Sequence, residues 1–141
     1  MTAHYENLEV EFLYPENWKI VDEETDQWPR GVSVQSPESG YWELQIYPSR
    51  VDCAQLSGEA LAAMRKEYPD LEAEVVSEDI LDLPAAGYNL SFFCLDLLVI
   101  SQIRSLHMGS RTYLLIRQAE SREFKRELLV FDAITQSLLT P

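Results

Sequence analysis

Histidine, cysteine and glycine are scarce in this sequence, and each shortage closes a route to chemistry. The two histidines, His4 and His107, stand at no ligand spacing from a cysteine, so a structural zinc site is not expected. Two cysteines, Cys53 and Cys94, are too few for a disulfide framework. Cys94 lies in the run Phe92-Phe93-Cys94-Leu95, where a reduced thiol serves as a small hydrophobe. Five scattered glycines cannot cradle a phosphate, and no G-x-S-x-G element marks a hydrolase nucleophile. No cofactor is expected. The longest apolar stretch, Leu90 to Ile100, is broken by Ser91 and Asp96 and is far too short for a membrane span. The opening residues Met1-Thr2-Ala3-His4-Tyr5-Glu6-Asn7 have neither a basic region nor an apolar one. No secretory signal is therefore read there, and the expected location is cytoplasmic.

Positive charge is also in short supply. Twenty-four acids against eleven bases give a net charge of −13 and a pI near 4.4. The imbalance is confined to one half: residues 1–82 hold 19 acids and 5 bases, residues 83–141 hold 5 acids and 6 bases. A polyanionic half repels phosphate backbones, so nucleic-acid binding is disfavoured and a basic protein partner is favoured. The plainer alternative is that the acid serves solubility alone. Two clusters are candidate partner-binding sites. Asp22, Glu23, Glu24 and Asp26 read as a solvated loop, and Glu72, Glu74, Glu78 and Asp79 as the wet face of an edge strand. Both sets are expected to be exposed and unpaired. The second set, with Asp82, lacks the loop spacing and glycine of a calcium site, so no metal is expected there.

What the chain does have is material for a core. Hydrophobic residues make up 46% of its 141 residues, enough for one domain spanning 1–141. Leu8, Val10, Phe12 and Tyr14 alternate with Glu9 and Glu11, the period of a strand with one wet face. His4 precedes this strand in what reads as a frayed terminus. Trp18 to Val21 continue extended, Val32 and Val34 open another strand, and Trp42, Leu44 and Ile46 alternate in a third. Leu56, Ala60, Met64 and Tyr68, widened by Leu61, form a helical stripe. Asp52 or Ser57 is placed to cap it, and Pro69 ends it. Residues 71–119 read as a strand meander, with a long segment from Tyr88 to Ile100 and a turn at Met108-Gly109-Ser110-Arg111. Phe124, Leu128, Phe131, Ile134 and Leu138 mark a closing amphipathic helix. The fold class is α+β: a mostly antiparallel sheet covered by two helices, near 53–68 and 120–139. Trp18, Trp42, Leu44, Ile46, Leu61, Met64, Tyr88, Leu114, Phe124, Leu128, Phe131 and Ile134 are the expected core.

Asp96 interrupts the apolar run Leu95-Asp96-Leu97-Leu98. It reads either as a buried carboxylate with proton-transfer chemistry or as a bulge, a strand end or the partner of an arginine.

The opening strand and its exit, Tyr14-Pro15-Glu16-Asn17-Trp18, resemble the aromatic-Pro-x-x-Trp entry of the PsbP-like superfamily. The mid-chain helix ending at Glu67-Tyr68-Pro69 and the long final helix are similar to that group across the whole chain. The resemblance implies an α/β/α sandwich around an antiparallel sheet. It also implies an adaptor, assembly or chaperone-like role rather than catalysis, and it carries no binding residue over to this chain. Three functions follow as expectations: a non-catalytic protein-binding adaptor or chaperone, a small-molecule or lipid-binding domain, and an enzyme using carboxylates near Asp96.

Overall fold

The computed structural model describes residues 1–22 and 27–140. Along the chain run β1 (Thr2–Asn7), β2 (Val10–Pro15), β3 (Lys19–Asp22), β4 (Arg30–Gln35), β5 (Tyr41–Tyr47), α1 (Cys53–Glu67), β6 (Glu72–Ile80), β7 (Leu83–Cys94), β8 (Leu97–Met108), β9 (Arg111–Glu120) and α2 (Ser121–Leu139). β1 and β2 form their own hairpin. The other strands make one seven-stranded sheet in the order β3-β4-β5-β9-β8-β7-β6, every pairing antiparallel.

The hairpins turn tightly. Leu8–Glu9, Leu81–Asp82 and Leu95–Asp96 each occupy a two-residue turn with both φ angles positive, between 49° and 68°. That geometry matches the twist of the flanking strands, and it is here adopted without glycine. Gly109, at φ 62°, serves the β8–β9 turn. Two expectations change as a result. His4 is not in a frayed end; it lies in β1 opposite Leu13, with its Nε2 3.1 Å from Glu11. The segment from Tyr88 to Ile100 is not one strand but the end of β7 and the start of β8.

The helices lie on opposite faces, which makes the sandwich. α1 packs over β7 and β8 and closes a core of Leu56, Leu71, Leu90, Phe92, Ile103 and Leu114. Its start is capped by Asp52, whose Oδ1 accepts the Gln55 N–H at 2.8 Å, worth about 1 kcal/mol. Ser57 is no cap: it is buried, donates to Ala86 O at 2.9 Å and meets Ser105 Oγ at 2.6 Å. α2 and the β1–β2 hairpin share the other face, where Phe12, Trp42, Leu44, Leu115, Phe131 and Ile134 are sealed from solvent. The Trp42 indole donates to Thr135 Oγ1 at 3.0 Å, so the one polar atom of that ring is satisfied inside the core. Leu61, Met64, Tyr88, Phe124 and Leu128 are half-buried at the margins of the two clusters rather than inside them.

Each helix covers the middle of the sheet and leaves one wing bare. On the α1 side the bare wing is centred on β5. On the α2 side it is centred on β6 and β7, beyond the reach of α2, which packs on β8, β9 and β2.

Candidate docking site on the uncovered wing

Period two along β6 puts Glu72, Glu74, Val76 and Glu78 on the α2 side, facing no helix. Glu72 and Glu74 are exposed, and among the described residues neither carboxylate has a partner. At the end of the row the wing deepens into a cleft of about 390 Å³ between β6 and α2, lined by Glu78, Asp79, Arg104, Arg117 and Asp132 among others. Asp79 is exposed at its mouth.

The floor of the cleft holds two arginines that the sequence reading did not single out. Arg104, 3% exposed, donates from Nε to Glu78 at 2.7 Å, from Nη1 to the carbonyls of Tyr88 and Ile103, and from Nη2 to Asn89 at 2.8 Å. Gly87 stands opposite Arg104 in the β7–β8 ladder. A Cβ at Gly87 would lie 1.7 Å from the Ile103 carbonyl oxygen, so only glycine lets the two strands approach there. Arg117, 6% exposed, donates to Asp132 at 2.6 Å and to Gln102 at 2.5 Å, while its Nε is buried without a partner among the described residues. Burial lowers the pKa of this guanidinium, and the Asp132 carboxylate opposes the shift. Their only signal in the sequence was a basic residue on the inward face of a strand.

These contacts revise the expected site. Glu78 is not unpaired; it is the counter-ion of a buried arginine. Asp22 ends β3 instead of lying in a free loop, is half-buried, and accepts from the Tyr5 hydroxyl at 2.8 Å and Asn7 Nδ2 at 3.0 Å. Burial, and then that bond to Asp22, raises the Tyr5 pKa well above its ordinary value of 10.0. Glu23, Glu24 and Asp26 lie outside the described residues. Asp96 stands exposed at φ 68° in the β7–β8 turn, so the strand-end reading holds and no buried acid exists there. Around that turn Phe93 is 70% and Leu95 92% exposed, giving the wing an apolar end.

The opposite wing is dressed differently. Tyr41, Glu43, Gln45 and Tyr47 alternate outward on the α1 side of β5 and bond along the strand. The Tyr41 hydroxyl donates to Glu43, Gln45 Nε2 donates to Glu43 at 2.5 Å, and the Tyr47 hydroxyl donates to Gln45 at 3.2 Å. Burial, then the charges of Glu59 and Glu43, raises the Tyr47 pKa. Between this ladder and α1 runs a groove of about 520 Å³ lined by Leu56, Ala60, Met64, Ile103, Leu114 and Ile116, among others. The Ser101 hydroxyl lies in its floor, buried and without a partner among the described residues.

No protein-family model and no curated protein matches the sequence. The likeness is structural. The cyanobacterial PsbP of Synechocystis superposes over 96% of this chain and 90% of its own length, with a TM-score of 0.68 at 12% identity. LpqN of Mycobacterium tuberculosis, described as involved in cell envelope biogenesis, matches over 96% of this chain and 87% of its own, with a TM-score of 0.62 at 12% identity. A Pseudomonas aeruginosa protein of unknown function, described as a putative regulator, covers 99% and 95% with a TM-score of 0.54 at 11% identity. The chain thus has the PsbP-like fold. No helix among the described residues is long and apolar enough to cross a membrane.

Proposed function

We propose that residues 1–141 act as one non-catalytic protein-binding module, an adaptor or chaperone-like domain that docks a basic segment of a partner on the β6 wing. One observation carries the reading: Glu72, Glu74 and Asp79 stand exposed beside a bare sheet face and its cleft, with no cation against them among the described residues. A partner's Lys or Arg would supply that cation, and the apolar tip at Phe93 and Leu95 would add desolvated contact at one end. Glu78 and Asp132 contribute less, since their charge is already engaged by Arg104 and Arg117. We place the module in the cytoplasm, where its two free cysteines suit a reducing compartment.

The experiment is affinity capture from native lysate at low and high salt, comparing wild type with a Glu72→Lys, Glu74→Lys, Asp79→Lys variant. A protein held by wild type at low salt and lost both at high salt and from the variant supports the reading. Identical captured sets would refute it.

A second reading, a small-molecule or lipid site, is favoured by the α1-side groove, because an orphaned hydroxyl in an apolar lining suits a ligand with one polar atom. Fluorescence titration with an apolar probe, repeated on Ser101→Leu and Ala60→Phe, tests it. Unchanged probe affinity in both variants rules the groove out.

A further inference from the structure

The turn between β4 and β5 meets the start of α2 at three carboxylates that lie far apart in sequence. Glu38 comes from the turn, Glu123 and Glu127 from successive turns of α2, and one oxygen of each lies within 4.8 Å of the others. Two of them have protein contacts. Glu38 pairs with Arg126, and Glu123 accepts from the Ser39 hydroxyl and, at 3.1 Å, from the Ser39 N–H. The Ser39 hydroxyl bond is the main reason the Glu123 carboxyl sits below its ordinary value.

Glu127 is the anomaly. It is 6% exposed, yet among the described residues no donor and no cation reaches its carboxylate. Acidic side chains are rarely found so enclosed unless paired. The fold has made room for it all the same. A Cβ at Gly40 would lie 2.9 Å from Glu127 Oε1 and 2.9 Å from Ser36 Oγ, so any larger residue would crowd the space the carboxylate enters. Glutamates four apart on one helical face also repel one another. With Arg126 as the only base paired into the group among the described residues, three carboxylates leave a net charge of −2.

We propose that Glu38, Glu123 and Glu127 bind a hard divalent cation of the calcium class, clamping the β4–β5 turn to the first turns of α2. The donor set is oxygen alone, which suits calcium, magnesium or manganese and not zinc or copper. Calcium takes six to eight oxygens at about 2.3–2.6 Å, so three carboxylates within 4.8 Å can close on it by side-chain adjustment. Water and the Ser36 and Ser39 hydroxyls would complete the shell.

Calorimetric titration of the full chain with calcium chloride, alongside thermal melts with and without calcium, tests the proposal. Wild type is expected to show one saturable site with Kd below about 1 mM, and a Tm that rises with calcium. Glu127→Gln keeps the shape and removes the charge; it should weaken binding by about tenfold or more and cancel the rise in Tm. Glu6→Gln, in the exposed His4–Glu6–Glu11 group, should change neither. No saturable binding up to about 10 mM would overturn the proposal. So would a Glu127→Gln variant that binds calcium as wild type does. A Glu127→Gln variant with higher Tm in a protein whose wild type gives no calcium heat would mark the carboxylates as structural crowding, and would equally overturn it.

Discussion

On the α1 side of β5 and on the α2 side of β6, the same sheet meets solvent with no helix over it. Both strands alternate regularly and both point carboxylates outward, yet the two surfaces differ in how those carboxylates are held. On β5 each polar group is engaged by a neighbour two residues away: Tyr41 and Gln45 both serve Glu43, and Tyr47 serves Gln45. On β6, Glu72 and Glu74 have no neighbour of that kind among the described residues, and the two arginines of the adjoining cleft are buried and already matched to Glu78 and Asp132. β5 also sits inside the sheet between β4 and β9, whereas β6 is its edge. A surface that satisfies itself gains little from a partner. One that leaves charge unmatched at an edge either repels neighbouring strands or waits for a cation, and the difference between the wings is what makes the second option testable.

The comparison depends on α2 as the fixed ridge that bounds the β6 wing, and the largest expected effect comes from loosening it. Phe131 is fully buried against Trp18 and Phe124, with ring centroids at 6.0 and 6.3 Å. Phe131→Ala should cost about 3–5 kcal/mol in urea denaturation. A loss under about 1 kcal/mol would mean that α2 does not anchor this face. Next comes Gly87→Ala, which drives a methyl group into the Ile103 carbonyl and should cost about 1–3 kcal/mol. If the β6 wing is as firmly built as the β5 wing, that loss should appear as global destabilisation. If hydrogen exchange instead rises in β6 and β7 alone, the wing is a separately opening unit.

The sequence is most informative where its pattern is long. The alternation in β5 and the stripes of both helices gave strand, helix and buried face together, because side-chain period follows directly from backbone geometry. The cap at Asp52 was legible because it depends on residues three apart. The turn at Gly109 was legible too, but three other hairpin turns were not. Leu8–Glu9, Leu81–Asp82 and Leu95–Asp96 hold positive φ without the Asn or Gly that normally announces such a turn. Without that signal, β1 reads as a loose end and β7 reads on into β8. The site was read only in part. Exposure of Glu72, Glu74 and Asp79 follows from charge on an edge strand. The pairing of Glu78 depends on Arg104, 26 residues away and brought near by the antiparallel register of two ladders. No local pattern encodes that distance.

Glu43→Ala measures the β5 ladder directly. It removes the acceptor of both Tyr41 and Gln45 on a half-buried surface, and should cost about 1–2 kcal/mol in urea denaturation. The matched change on the other wing is Glu74→Ala. Its carboxylate is exposed and has no partner among the described residues, so stability should stay within about 0.5 kcal/mol of wild type. The contrast between these two numbers is the comparison itself in measurable form, and equal losses would erase it.

The smallest effect on stability is expected from the Glu72→Lys, Glu74→Lys pair, and it is the one that bears on function. Reversing two exposed charges on a chain of net charge −13 lowers its overall self-repulsion, so stability should hold or rise slightly. Association with a basic partner should slow, because the encounter is steered by the field those carboxylates help to set. Raising ionic strength should bring wild type down to the variant's on-rate, since the Debye length shrinks from about 10 Å at 0.1 M salt to about 3 Å at 1 M. The β5 wing provides the control. Gln35→Lys adds one positive charge at the exposed end of β4, on the far side of the sheet from β6, and should leave the on-rate close to wild type. If both variants slow association in proportion to the charge they add, one unit against four, net charge alone governs the encounter and the β6 wing has no special standing. If only the Glu72–Glu74 variant slows it, the partner docks where the sheet edge leaves its carboxylates unmatched.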